Sequence, residues 1–167
     1  FIVSIQNGLV DNSKYAKLLR QKLVPITVFS GFRFEKGKLI ARETQMGWKT
    51  ENSKEGREIS RIISGAGIKC QAARNFDALR AEKTIVNCSL NALSALENKP
   101  FSALFKEKKT RERINRLFEE CYNILKKEHK LEPKEKIKKR MIRDWAKMNH
   151  YSSTHQDLKS GRDLEVK

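Results

Sequence analysis

Lys83, Asn87 and Asn91 stand four residues apart in the stretch from Asp77 to Leu96, whose other positions include Leu79, Ile85, Val86, Leu90, Leu93 and Leu96. At about 3.6 residues per helical turn, members of an i, i+4, i+8 series are offset by about 40°, so one ammonium and two carboxamides project from a slowly turning stripe. Burying the three without partners costs roughly several kcal/mol in total, so the stripe faces either water or a polar cleft. A helix with its polar side in solvent normally shows a wider, more charged face than this one. Periodicity alone leaves both readings open. A second polar cluster runs from Tyr151 through Ser152, Ser153, Thr154, His155, Gln156 and Asp157 to Gly161, Arg162, Asp163 and Glu165. Pattern alone explains it as a helix capped at Ser152 or Ser153, stopped at Gly161, with another helix opening near Asp163.

The elements that would carry these groups follow from period and punctuation. Phe1 to Ile5 is an apolar run of the kind found in a buried parallel strand, and Gln6-Asn7-Gly8 is a turn signal. Asp11 or Asn12 can cap a helix to about Leu23, with Tyr15, Leu18, Leu19 and Leu23 as its apolar face. Pro25 to Phe34 and Lys38 to Glu43 read as strands joined around Glu35-Lys36-Gly37, and Met46 to Lys49 as a third short strand. A helix from Asn52-Ser53 to about Ser64 stops at Gly65-Ala66-Gly67, and Ile68 to Ala72 reads as a strand. Helices follow over Phe76 to Leu96 and over Thr110 to about His129, the latter with Ile114, Leu117, Phe118, Cys121, Ile124 and Leu125 at helical spacing. A third begins at Pro133 and carries Ile137, Met141, Trp145 and Met148 on one face. The change of character at residue 52 predicts a mixed-sheet part over 1–51 and a helical part over 52–167.

A chain of 167 residues can bury one core with a small second unit attached. Its formal charge of +16 would suit an anionic partner such as nucleic acid. Lys and Arg are, however, interleaved with Glu along helical stretches, the pattern of solvated faces with i,i+4 pairs. No zinc-finger spacing or run of exposed aromatics accompanies them, which disfavours nucleic-acid binding. Cys70, Cys88 and Cys121 are odd in number and widely spaced, and His129, His150 and His155 are scattered. Reduced, buried thiols in a cytosolic protein and no metal are therefore expected. The apolar runs are short of a membrane span. A chain that opens without Met inside an apparent core strand reads as a fragment.

The two polar segments together resemble the signature stretches of the ketopantoate reductases (2-dehydropantoate 2-reductases). That family carries a helical Lys with Asn four and eight residues on, then a Leu-Thr-Ala-Leu-like run. Here these are Lys83, Asn87, Asn91 and Leu93-Ser94-Ala95-Leu96. The family's Ser-Ser-Met-x-Gln-Asp-Ile stretch and Gly-Arg-x-Thr-Glu correspond to Ser152 through Leu158 and Gly161 through Glu165. Gln6-Asn7-Gly8 resembles the family's turn after a strand of the nucleotide-binding domain. Ala92 stands where Pro is commoner and Thr154 where Met is usual, which loosens the inference to a particular substrate. The Gly-x-Gly-x-x-Gly turn is missing, as expected if the N-terminal Rossmann half lies elsewhere.

The resemblance implies an α+β chain: the last strands of a Rossmann-type sheet, then a mostly α-helical domain like the C-terminal domain of 6-phosphogluconate dehydrogenases, truncated at its own C-terminus. It implies NADPH-dependent reduction of 2-dehydropantoate to pantoate for pantothenate and coenzyme A synthesis, in the cytoplasm; the extensive helical part is compatible with a homodimer. Lys83 would hydrogen-bond the ketone oxygen, stabilise charge as hydride arrives and deliver the proton. Glu165 would position that lysine, Asn87 and Asn91 would hold the substrate hydroxyl and oxo groups, and Ser153 would donate to its carboxylate. Asn7 would lie near the nicotinamide ribose and the substrate. The alternatives are a related 2-oxo-acid reductase of the same fold and a basic helical nucleic-acid-binding module.

Overall fold

A computed structural model describes residues 1–164, the side chains of 33–35 and 42 excepted. The chain is α+β: a four-stranded mixed sheet, then helices. Its backbone separates into two compact units, Phe1–Ala81 and Glu82–Lys167. The division falls well after the change in composition at 51/52, because a further helix and strand complete the sheet of the first unit.

In the first unit the strand order is β1-β2-β3-β4. β1 (Ile2–Ile5) lies parallel to β2 (Leu23–Glu35), and β2 forms an antiparallel hairpin with β3 (Lys38–Glu51). Lys36 and Gly37 at the hairpin tip both have positive φ, the conformation that lets a two-residue turn match the twist of its strands. β4 (Cys70–Ala73) runs parallel to β3, so the chain between them must cross over the sheet, and α2 (Lys54–Gly65) makes that crossing. Ser53 caps α2 by accepting from the Gly56 N–H at 3.0 Å. Ser60 Oγ and Ser64 Oγ both donate to the Cys70 carbonyl, at 3.0 and 2.9 Å, and fasten the helix to β4.

Several expectations need correction here. The helix expected to reach Leu23 is α1 (Asn12–Leu19), capped by Asp11. Leu23 opens β2 instead, and Tyr15, Leu18 and Leu19 are exposed. α1 lies against β2. β1 is parallel to β2 as expected, and Phe1, Ile2 and Ile5 are exposed in the chain as given. The separate strands expected at 38–43 and 46–49 are one strand. Its register against β2 shifts between Val28 and Ser30, where Phe29 faces residues 44–47. That bulge breaks the alternation from which a strand is read.

The second unit is built on α3 (Phe76–Leu96), which matches its expected bounds and within which the division at 81/82 falls. α4 (Phe101–Leu104), α5 (Lys108–Leu125) and α6 (Lys134–Trp145) follow, then α7 (Ser153–Lys159). Ile85, Leu90 and Leu93 of α3 share one core with Phe101, Leu104, Ile114, Phe118, Ile137, Met141 and Met148. Trp145 packs edge-on to Phe101 with ring centroids 5.1 Å apart. α4 was not legible in the sequence. It is held by long-range backbone bonds, the N–H groups of Phe101 and Ser102 donating to the carbonyls of His150 and Met148 at 3.0 and 2.9 Å. α5 ends at Leu125 rather than near His129, and Ile124 and Leu96 are exposed despite their apolar character. Some ion pairs join different helices, as when Glu119 of α5 takes both Lys134 and Lys138 of α6. An i,i+4 pair is found between Glu132, just before α6, and Lys136 in its first turn.

Gly47 sets the path of β3. Its φ is +62°, and a Cβ there would stand 2.6 Å from the Lys69 carbonyl oxygen, which accepts the Trp48 N–H at 2.8 Å. Gly47→Ala is expected to destabilise the first unit by about 1–3 kcal/mol, visible as a lower urea midpoint with an unchanged slope.

Candidate active site

The polar stripe of α3 lies on the flank of the helix. Lys83, Asn87 and Asn91 are each half-buried, while the fully buried positions around them are Glu82, Ile85, Ser89, Leu90, Leu93 and Ser94. The positions most open to solvent in that part of the helix are Cys88, Ala92 and Leu96. A helix with its polar side in water would show the reverse, so the half-buried stripe favours the cleft reading over the solvent one. At about 1.5 Å rise per residue the stripe is about 12 Å long from Lys83 to Asn91.

Burial lowers the pKa of Lys83 from 10.5 to about 8. Desolvation disfavours the ammonium, and the group keeps it at neutral pH while releasing the proton far more readily than a surface lysine. A donor with this poise suits the transfer of a proton to an oxygen that gains charge during reaction.

The second polar segment is brought to the far end of the stripe by Ser152. Its Oγ donates to the Asn91 carbonyl at 3.0 Å and accepts the His155 N–H at 3.0 Å, so one buried hydroxyl caps α7 and joins it to α3. The Ser152 N–H donates to Ser94 Oγ at 3.2 Å, and Ser94 Oγ donates to the Lys99 carbonyl at 2.8 Å. Ser153, the candidate carboxylate ligand, is the exposed first residue of α7, next to this joint. His155 is buried behind it, with Nε2 2.7 Å from Asn98 Oδ1 and its ring stacked on Tyr151 at 4.2 Å. Burial, and then the nearby Lys159 charge, lower the His155 pKa, so the ring is a neutral packing element at pH 7.

The structure thus brings Lys83, Asn87 and Asn91 onto one face and Ser153 to the Asn91 end of it. Asn7 belongs to the first unit, in the turn after β1, where Arg80 donates to the carbonyls of Gly8 and Val10 at 3.3 and 2.9 Å. Glu165 lies outside the described residues. Among the described residues no group of His, Cys, Asp and Glu is placed to hold a metal ion. The cysteines depart from expectation: Cys70 is buried, but Cys121 is only half-buried and Cys88 is exposed.

Glu82 had no signal in the sequence beyond standing beside Lys83. It is 4 % exposed and paired with Arg140, which also binds Glu132, while the Glu132 N–H donates to Glu82 at 3.3 Å. Burial raises the Glu82 pKa against the opposing pull of Arg140. The pairing fixes α3 to α6 just where Lys83 leaves the helix. The partners are 58 residues apart, so no local pattern announces it.

Residues 75–167 match the family model described as ketopantoate reductase PanE/ApbA C terminal, which is more than half of the chain. No curated protein matches the chain in sequence. Among solved structures, a PanE/ApbA family ketopantoate reductase from Ralstonia eutropha JMP134 is similar with 26% identity and a TM-score of 0.80, covering 98% of this chain and 55% of its own. A dimeric ketopantoate reductase from Staphylococcus aureus is similar at 14% identity and a TM-score of 0.79, covering 99% and 57%. D-mandelate dehydrogenase in complex with NADH shares the fold at 16% identity and a TM-score of 0.76, covering 98% and 58%. The chain spans a little over half the length of each of these proteins.

Removing Arg140 would leave the Glu82 carboxylate buried without its partner. Arg140→Leu is expected to destabilise the protein by about 3–5 kcal/mol, and Glu82→Gln in the same chain to recover part of that loss. In the wild type the folded state holds the Glu82 proton more tightly than the unfolded state does. Its contribution to stability therefore declines as pH rises through the carboxylate range. Urea unfolding of the single and double variants at pH 5 and 7 measures both effects.

Proposed function

The chain belongs to the ketopantoate reductase PanE/ApbA family, and from that premise we propose that its parent protein reduces 2-dehydropantoate to pantoate with NADPH. The observation that carries the reading is the half-buried Lys83, its pKa brought to about 8 by burial, in line with Asn87 and Asn91. The reduced nicotinamide supplies the hydride when bound. The chain's own residues fit the substrate side of that reaction. Its sequence has no Gly-x-Gly-x-x-Gly turn for a pyrophosphate, and Asn7 alone is assigned to the cofactor, on its likeness to the family's Gln-Asn-Gly turn.

As the ketone carbon is reduced, negative charge collects on the ketone oxygen. The Lys83 ammonium donates a hydrogen bond to that oxygen, stabilises the growing charge and gives up its proton to form the hydroxyl. Solvent then reprotonates the lysine, which its half-buried position permits. Asn87 and Asn91 are amide donors and acceptors for the substrate's hydroxyl and oxo groups, and Ser153 donates to its carboxylate. Glu165 is assigned the orientation of Lys83. Production of pantoate places the protein in pantothenate and coenzyme A synthesis, a cytoplasmic role, and likeness to the dimeric Staphylococcus aureus enzyme suggests a homodimer. Among the described residues no helix is long and apolar enough to cross a membrane.

A second reading is a 2-oxo-acid reductase with another substrate or with NADH. It is favoured by Ala92 and Thr154, which depart from the family's usual residues, and by the shared fold of D-mandelate dehydrogenase. Steady-state kcat/KM of the full-length protein for 2-dehydropantoate and for aryl and branched 2-oxo acids, with each cofactor, separates the two.

Lys83→Ala in the full-length protein is expected to lower kcat by about 10²–10⁴-fold with an unchanged circular dichroism spectrum. Because the protonated lysine is the active form in reduction, the wild-type rate should fall as pH rises through about 8. Activity that survives the substitution, or a rate that stays level across that range, removes Lys83 from the mechanism.

A further inference from the structure

Cys88 is exposed and lies three residues beyond Ile85 in α3; Cys121 is half-buried and lies three residues beyond Phe118 in α5. Ile85 and Phe118 belong to one core cluster, and Cys121 packs against it. Each cysteine thus sits about one helical turn along from a residue of the shared α3–α5 core, at the edge where the interface opens to solvent. There the Cys88 thiol stands within hydrogen-bonding reach of Cys121. They come from different helices and are separated by the whole of the intervening 89–120 segment, so their meeting is tertiary and not a consequence of local spacing. Cys70 belongs to the first unit and takes no part.

We propose that Cys88 and Cys121 form a dithiol site that a low-molecular-weight disulfide oxidises to an intramolecular disulfide joining α3 to α5. Access decides the order of events. The exposed Cys88 sulfur, as thiolate, attacks one sulfur of the oxidant, releasing half of it as a thiol and leaving a mixed disulfide on Cys88. The Cys121 sulfur, already in contact, then attacks Cys88 Sγ and expels the second half. Two protein thiols lose two electrons and two protons, and the oxidant disulfide becomes two thiols. Burial is the main cause that raises the Cys121 pKa to about 11, and the Cys88 sulfur beside it adds to the rise. Cys121 is accordingly a poor first nucleophile but a resolving thiol held at its target. Cys88 directly follows Asn87, so the bond would form beside the polar stripe, but the site does not depend on the reductase reading.

The test is to incubate the reduced, desalted full-length protein with excess oxidised glutathione in a mildly alkaline native buffer, then to digest it without reductant and identify its peptides by mass spectrometry. The expected product is the Cys88 peptide joined to the Cys121 peptide, two hydrogens lighter than their sum and separated again by dithiothreitol. Cys121→Ser should stop at a stable glutathione adduct on Cys88, and Cys88→Ser should leave Cys121 unmodified. The wild-type peptide map decides the matter even if neither variant folds. Glutathione accumulating on Cys88 beside a free Cys121, a bond between two chains, or two unreacted thiols would each overturn the proposal.

Discussion

A single hydroxyl, Ser152 Oγ, sets the relation of the two polar segments. It donates to the carbonyl of Asn91, which lies within a helix whose own ladder leaves that oxygen a second lone pair, and it accepts the N–H that α7 presents at its start. Both bonds are inside the protein, where a lost partner is costly. The register of α7 on α3 is therefore fixed by hydrogen-bond direction as well as by packing. The exposed Ser153 inherits its place from that joint, since it is the next residue in the chain.

The same helix answers two opposed demands. Its inner face must be apolar to share a core with α4, α5 and α6, yet its flank carries an ammonium and two amides that lose part of their hydration. Helix propensity and apolar burial supply the scaffold, and the Glu82–Arg140 pair holds that scaffold to α6 one residue before Lys83. A buried ion pair contributes little net stability, because its attraction is offset by desolvation. Its effect here is geometric: the backbone at residue 83 is held between an ion pair at 82 and the packed side chain of Ile85.

The parts of the fold governed by local rules could be read from the sequence. The bounds of α3, the start of α2 after Asn52-Ser53, the Asp11 cap, the hairpin tip at Lys36-Gly37 and the Pro133 entry to α6 each depend on a few neighbouring residues. The errors share a different origin. α1 stops early because a strand partner claims Leu23, and β3 is continuous across Gly47 because Lys69, more than twenty residues on, completes its path. α4 exists by virtue of carbonyls at 148 and 150. For the site, helical spacing aligned Lys83, Asn87 and Asn91, and cap chemistry singled out the Ser152-Ser153 pair. Neither could show that Ser152 reaches Asn91, nor that Glu82 and Arg140 meet.

The way in which Lys83 acquires its low pKa has a consequence for its setting. A lysine depressed by neighbouring cations would drift back towards its ordinary value as added salt screened them. Desolvation depends far less on salt, because it acts through the water a group has lost and not through the charge of its neighbours. Burial, the cause that lowers this pKa, is a property of shape, so the acidity of the ammonium should change little with ionic strength.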